Sequence, residues 1–505
     1  MYSFSTFHQD WHGVGYAHKE PTSKDYRVYL NGEEVPVYTC RISAYPFNTW
    51  WPGHQRTLDQ TALVSYVNLV SDEAIALSVE PLTKAAYQRI MLKPYAKGIK
   101  PEVKDGKICF NLKENGGYVL ELDDYFGLLY IFNNKPVPCE DPSKVTYYFG
   151  PGIHFPGKII LKSNESVYVD KDALVYGCIF AENAENIHIY GNGIFDDSTE
   201  ERVNERCYAP FCNGNLKFYD CKNLRIEGLG FTNSAVWCVN IFHCNDVVLD
   251  GINVFGQWRY NTDGIDVVNS YDITIRNCFV HSFDDAITIK GIDHYAYENN
   301  RDMLIENCVV WCDWGRTLEI GLETECREYN NITFRNCHVL RGGQVACDIQ
   351  NGDRAEVHNI TFENISLELE SFYTPMQLQK DDSHIYSRQD QLEISQLLSV
   401  TNQRFRKSYY FLDGVATGAD LSDEGKTHFA SVHHVLVKNV QIYCDEAIVA
   451  QKGTKAVTVA VQKFVPNSYF GDIVVEDVFF NGQKLTAQDT GVFFEDVDPS
   501  VLTVR

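Results

Sequence analysis

Residues 272–310 read DITIRNCFVHSFDDAITIKGIDHYAYENNRDMLIENCVV, a stretch that closes on the phrase with which it opens. In both copies a polar residue leads an apolar-x-apolar alternation, then x-Asn, then a second apolar pair. Alternation of this kind is the mark of a half-buried strand. The phrase recurs outward in both directions, as NIHIYGNGIF from Asn186, NLRIEGLGF from Asn223, DVVLDGINVF from Asp246, NITFRNCHVL from Asn331, NITFENISL from Asn359, HVLVKNVQIY from His434 and DIVVEDVFF from Asp472. From Asp246 the successive starts lie 26, 30, 29 and 28 residues apart. A repeat of that length with a strand period and no helical one predicts a stacked solenoid, an all-β right-handed parallel β-helix. Asn277, Asn307, Asn336, Asn364 and Asn439 share one position of the phrase and are expected to stack as an amide ladder in a turn.

Stacking the coils also sorts side chains by face, because alternate residues of a strand point to opposite sides. The inward pairs are Ile265 and Val267, Ile287 and Ile289, Leu318 and Ile320, and Cys347 and Ile349. Their outward partners form a column, Asp266, Thr288, Glu319 and Asp348, with Lys290 and Gln350 one step further along and the column facing solvent. At the turn before each strand Asp263, Asp285 and Arg316 fall in register, with Asp284 just before. Coils stack ~4.8 Å apart, so these carboxylates are close enough to share a substrate and to push each other's pKa values apart.

The rest of the chain bounds this reading. At 505 residues it exceeds one ordinary core. Residues 1–145 carry short β-branched and aromatic runs punctuated by Gly and Pro and are read as an N-terminal β-sandwich, with 146–505 as the β-helix domain. An insertion is expected around 370–430, where the spacing of the phrase breaks, projecting as a loop or small lobe. A formal charge of -24 argues against nucleic acid and anionic membrane surfaces as partners, both of which require a basic footprint. The sixteen cysteines show no metal-binding spacing, and Cys278, Cys308 and Cys337 recur at one repeat position, as buried thiols stacked along a core would. With no export signal in the first residues, a cytoplasmic location is expected, a secreted mature form being the alternative. No cofactor or metal is called for. Homo-oligomerisation is left open.

The motifs themselves carry a resemblance. NTDGID from Asn261, FDDAITIK from Phe283 and GRTLEIG from Gly315 are similar to the active-site signature of the polygalacturonase-like β-helix glycoside hydrolases (family 28), and YYFGPGIHFPGKIIL and IYGNGIFDD resemble that superfamily's opening coils. A β-sandwich ahead of a β-helix also resembles the dextranase-type relatives (family 49). The resemblance covers roughly residues 147–365. It implies hydrolysis of an oligo- or polysaccharide with inversion, Asp284 as general acid and Asp263 with Asp285 activating water. Inversion suits carboxyl groups set ~6.5 to 9.5 Å apart, leaving room for that water.

Two departures concern the substrate. Where the family has Gly-His-Gly this chain has Gly315, Arg316 and Thr317, and where it has Arg-Ile-Lys this chain has Asp348, Ile349 and Gln350. An acid and an amide in place of two cations disfavour a carboxylated sugar, so a neutral glycan is expected. Asp266, Lys290, Arg316, Glu319, Asp348 and Gln350 are the candidate substrate contacts, with Trp258, Trp237, Trp311 and Trp314 for ring stacking. Lys290 and Arg316 either hydrogen-bond sugar hydroxyls or balance the acidic cluster. Three alternatives stand beside this reading: a polygalacturonase-type hydrolase, a Ca²⁺-dependent polysaccharide lyase, and a glycan-binding β-helix without catalysis.

Overall fold

The computed structural model describes residues 2–4, 22–43, 61–84, 86–202, 213–353, 355–371, 394–402, 430–465 and 468–505. From Tyr147 onward thirty strands form one continuous hydrogen-bonded system. Its parallel pairings resolve into three faces, so the chain is a right-handed parallel β-helix, the hand that crossovers between parallel strands take. One face stacks Leu216–Tyr219, Val239–Phe242, Ile265–Val268, Ile287–Gly291, Arg316–Thr324, Val345–Asn351, Gln396–Asn402 and Thr458–Lys463. The second stacks the repeated phrase, for example Asn245–Asp250, Tyr271–Arg276, Asn300–Glu306 and Glu328–Arg335. The third stacks Asn253–Val254, Phe279–Ser282, Val309–Cys312 and His338–Gly342.

The phrase works because its polar residues do backbone work. Asp246, Asp272, Asp302, Asn331 and Asn359 all hold φ between 53° and 56°, the left-handed region that Asn and Asp tolerate best among residues with a side chain. The predicted ladder forms: Asn307, Asn336, Asn364 and Asn439 each donate to the Asn one coil back, at 3.3, 3.2, 2.9 and 2.6 Å. Inside, the predicted inward pairs join one apolar core with Cys278, Cys308, Cys337 and Cys347. The fourteen cysteines among the described residues are all free thiols.

Ahead of the helix, the described residues between 2 and 134 form a six-stranded and a five-stranded sheet. The strand Asp124–Asn134 is buried on both sides, with Leu129 and Ile131 packing between the two sheets and Leu128, Tyr130 and Phe132 packing against Leu174, Ile194, Phe255, Phe279, Val309 and Leu340 on the third face of the solenoid. A buried ion network crosses the same junction. Lys93 contacts Glu370 at 2.5 Å and Glu368 at 2.8 Å, while Arg341 grips Glu121 through two hydrogen bonds and reaches Glu370 at 2.9 Å. The sandwich covers one face of the helix and leaves the Asp266 face to other uses.

One expectation needs correcting. The stretch 370–430 is not a single insertion, because Gln396–Asn402 pairs in parallel with Val345–Asn351 and with Thr458–Lys463 and is an ordinary coil strand. The extra sequence is thereby split into 372–393 and 403–429, which lie outside the described residues.

Candidate active site

The column predicted from alternation exists in the register. Asp266 pairs with Thr288, Thr288 with Glu319, and Glu319 with Asp348. The same register position continues beyond the predicted column, to Asn240 and Lys217 before Asp266 and to Ser399 after Asp348. It does not face open solvent: Asp266, Thr288 and Glu319 are fully buried and Asp348 nearly so. Alternation shows which side chains leave the core of the solenoid, not what lies over them.

Lys290 is the hub. Its ammonium lies 2.8 Å from Asp263, 3.3 Å from Asp266, 3.4 Å from Asp285 and 3.7 Å from Glu323, and 4.2 Å from the centre of the Trp237 ring. Burial alone would strip this lysine of its proton, but four carboxylates, Asp263 foremost, hold its pKa well above the ordinary value. Arg316 sits 3.3 Å from Asp348 and 3.9 Å from Glu319, and its pKa is likewise raised, acidic neighbours outweighing burial.

The adjacent carboxylates Asp284 and Asp285 part company in this field. Asp284 accepts from Asn261 at 3.1 Å and from the backbone N–H of Asp285 at 3.1 Å. Burial, and then the charges of Asp263 and Asp285, push its pKa well above the usual carboxylate range. Burial acts on Asp285 too, but Lys290 and Arg316 overcome it, and the Arg316 N–H donates to Asp285 at 3.1 Å, so its pKa ends below the ordinary value. The surroundings thus shift the two in opposite directions, Asp284 toward its protonated form and Asp285 toward its ionised one. Asp263 is also raised, chiefly by burial, with Lys290 pulling against it. Burial lifts Asp266 to about 7 and Asp348 to about 6.

Several buried acceptors in the column lack a well-aligned hydrogen bond, namely both carboxylate oxygens of Glu319, one of Asp348, the amide oxygen of Gln350 and those of Asp266, whose Oδ1 has only the Lys290 ammonium at 3.3 Å. Such groups are matched to hydroxyl donors. Trp314 is partly exposed, stacked on Phe283 at 5.9 Å beside Tyr260 at 5.8 Å, at the edge of the acidic pair. Trp258 is a correction: its ring is 2% exposed and its indole N–H is committed to Asn233 at 3.0 Å, so it packs and offers no stacking face.

The geometry adds residues that sequence reading passed over. Arg202 donates to Asn261 at 2.8 Å, which fixes the amide that holds Asp284. A Cβ at Gly315 would fall 2.3 Å from an Asp285 oxygen and 2.6 Å from an Asp284 oxygen, so only glycine lets this turn lie against the pair. Glu323 reaches Lys290 because the Arg316–Thr324 strand bulges: Ile289 pairs with Ile320 but Gly291 with Thr324. Among the described residues no three His, Cys, Asp or Glu side chains converge as a metal site, and no helix is long and apolar enough to cross a membrane.

The family described as "Glycosyl hydrolases family 28" matches residues 141–386, the coils that carry every one of these groups. The match spans just under half of the chain, and with the motifs it marks a resemblance to the right-handed β-helix glycoside hydrolase superfamily of families 28 and 49. Within that superfamily the chain is 26% identical over 243 residues to an Arabidopsis thaliana protein described as "Probable polygalacturonase", covering 47% of this chain and 49% of the relative. It is 28% identical over 165 residues to endopolygalacturonase D of Aspergillus niger, covering 29% of this chain and 31% of the relative. The chain thus spans about half or less of the length of these curated relatives. Dex49A from Penicillium minioluteum has the same fold over nearly the whole of both chains, with a TM-score of 0.63 at 12% identity, covering 96% of this chain and 95% of that one. The likeness extends to the sandwich, which the family 28 match leaves out.

Proposed function

We propose that this protein hydrolyses glycosidic bonds of an oligo- or polysaccharide with inversion, Asp284 protonating the leaving oxygen while Asp285 activates water on the opposite side of the anomeric carbon and Asp263, its neighbour across Lys290, helps to hold that water. The observation that carries this is the placement of the neighbours: Lys290 and the Arg316 N–H lie 3.4 and 3.1 Å from Asp285, whereas Asp284 meets the Asn261 amide at 3.1 Å, so that burial and acidic neighbours raise the pKa of Asp284 while the two cations lower that of Asp285. Two titratable groups driven apart by their surroundings make an acid and a base at one pH. Asp284→Asn is expected to lower kcat by roughly two to four orders of magnitude while substrate still binds. Undiminished turnover in that variant sinks the assignment.

For the sugar, the supporting observation is that both cations of the column are engaged. Lys290 is shared among four carboxylates and Arg316 between two, and positions 348 and 350 add an acid and an amide. A uronate carboxylate entering here finds both cations already engaged, whereas a neutral sugar asks for none. The reading is therefore a neutral glycan. The second reading, a pectic uronate, is favoured by the names of the curated relatives, which are polygalacturonases. A panel of neutral and galacturonate oligosaccharides decides between them, with the anomer of the released sugar followed by NMR. Release from galacturonate alone overturns the neutral reading, and release of the retained anomer overturns the inverting one.

A further inference from the structure

The solenoid face turned toward the sandwich carries a buried polar chain that ends at the acidic pair. His281, Trp311 and Arg341 hold one register position on three consecutive coils. The indole stacks on the imidazole at 3.9 Å, and the guanidinium lies 4.3 Å over the indole. From the sandwich, the Tyr130 hydroxyl hydrogen-bonds His281 Nδ1, and His281 Nε2 lies 3.0 Å from Asp313 Oδ1. Tyr130, His281 and Trp311 are fully buried and Asp313 is nearly so. A carboxylate only accepts, so Nε2 donates to Asp313, and Nδ1 is left to pair with the tyrosine hydroxyl. No bulk water reaches these bonds to replace one that is lost.

What the chain holds is the neighbourhood of Asp284. His281 enters the turn bearing Asp284 and Asp285, and Asp313 enters the next turn, bearing Trp314, Gly315 and Arg316. Between the two turns the Asp313 N–H donates to the Ser282 carbonyl at 3.1 Å and the Trp314 N–H to the Phe283 carbonyl at 2.9 Å, while Cys312 Sγ and Ser282 Oγ both donate to the Asp284 carbonyl, at 3.0 and 2.5 Å. The second turn then presents the Gly315 backbone and the Arg316 N–H to the two carboxylates.

We propose that Tyr130, His281 and Asp313 are positioning residues, a brace through which the N-terminal sandwich fixes the placement of the Asp284–Asp285 pair against the Gly315–Arg316 turn. The sandwich is then part of the catalytic apparatus without touching substrate. The proposal rests on the hydrolase reading above, because inversion needs a water-sized space between carboxyls and a displacement of about 1 Å costs on the order of a hundredfold in rate.

Tyr130→Phe removes one hydroxyl and leaves the ring in place. Expected are a fall in kcat of about tenfold or more with KM changed less than about twofold, a similar loss in His281→Gln, and a double variant no slower than the worse single one. Val64→Ala, in the same apolar interface but outside the chain of hydrogen bonds, serves as a stability control that keeps kcat. Tyr130→Phe at wild-type kcat, losses that multiply in the double variant, or an equal kcat loss in the control at matched Tm would each overturn the brace. Backbone hydrogen exchange at residues 283–285 and 313–316 gives a readout independent of turnover. Faster exchange in Tyr130→Phe supports the brace and unchanged exchange rejects it, even if the wild type cleaves nothing on the panel. That failure, or an active Asp284→Asn variant, counts against the hydrolase reading alone.

Discussion

Asp284 and Asp285 are neighbours in the chain with opposite electrostatic fates, and the difference is made by backbone as much as by charge. Gly315 lets the next coil's turn approach until the Arg316 N–H and guanidinium serve Asp285, leaving Asp284 to its neighbours' negative charge and the Asn261 amide. Gly315→Ala is the smallest change that should undo this. The added methyl has no room, so either the turn or the carboxylates must move. Activity is expected to fall by about a hundredfold or more, with loss of stability of about 1–3 kcal/mol typical of overpacking. Comparing kcat with the denaturant midpoint checks it, and a Gly315→Ala enzyme with normal kcat would show that the pair tolerates displacement. On the pH axis the raised pKa of Asp284 keeps the acid form present beyond the ordinary carboxylate range. The alkaline limb of kcat/KM should therefore lie above that range, and move or vanish in Asp284→Asn.

Among the elements, the repeated phrase was the most legible because two independent constraints write it: the apolar alternation of a core strand, and an Asn or Asp wherever the turn needs positive φ. Asn307 shows both, with φ at 56° and an amide that donates to Asn277 and accepts from Asn336. Asn307→Ala is expected to destabilise by about 1–2 kcal/mol and Asn307→Gly by less, since glycine keeps the dihedral and loses only the ladder. Equal melting temperatures for the two variants would mean that the dihedral carries no cost here. The strand Gln396–Asn402 escaped because it belongs to the working face, whose sequence follows no such phrase, and 372–393 and 403–429 separate it from its neighbours. Glu323 escaped because a bulge breaks the period of two on which inside and outside are counted. Trp258 was misplaced since nearness to a motif along the chain does not say which way a ring turns. The column itself, Asp266 to Asp348, was legible to the residue, whereas its burial was not, because cover is supplied by parts of the chain distant in sequence.

At the scale of the molecule the unusual quantity is the amount of buried carboxylate. Burial lifts Asp266 to about 7, Asp348 to about 6 and, at the sandwich junction, Glu368 to about 7. Asp263, Asp284 and Glu319 rise in the same direction, against which Asp285 and Glu370 are lowered. A carboxyl with a folded pKa above its unfolded one binds more protons in the folded state between the two values, so its contribution falls as pH climbs through that interval. The melting temperature is therefore expected to decline from about pH 5 to about pH 8, a trend that calorimetry across this range would confirm or reject. The sandwich also alters how the solenoid comes apart. A stack of coils coupled only to nearest neighbours frays from either end, one unit after another. Here the second core strings together Leu174, Ile194, Phe255, Phe279, Val309 and Leu340 along the stack, one each on six of seven coils, and the charged network extends the contact to Glu370, so the sandwich is fastened across the row like a splint. Coils between about 174 and 370, with the Val432–Cys444 strand whose Tyr443 meets Tyr95 of the sandwich at 6.3 Å, should lose hydrogen-exchange protection together, in a single cooperative event, while the coils from Phe470 onward open separately and at lower free energy. The fold would then be a solenoid with one end free to breathe and the other made to unfold as a globular domain does.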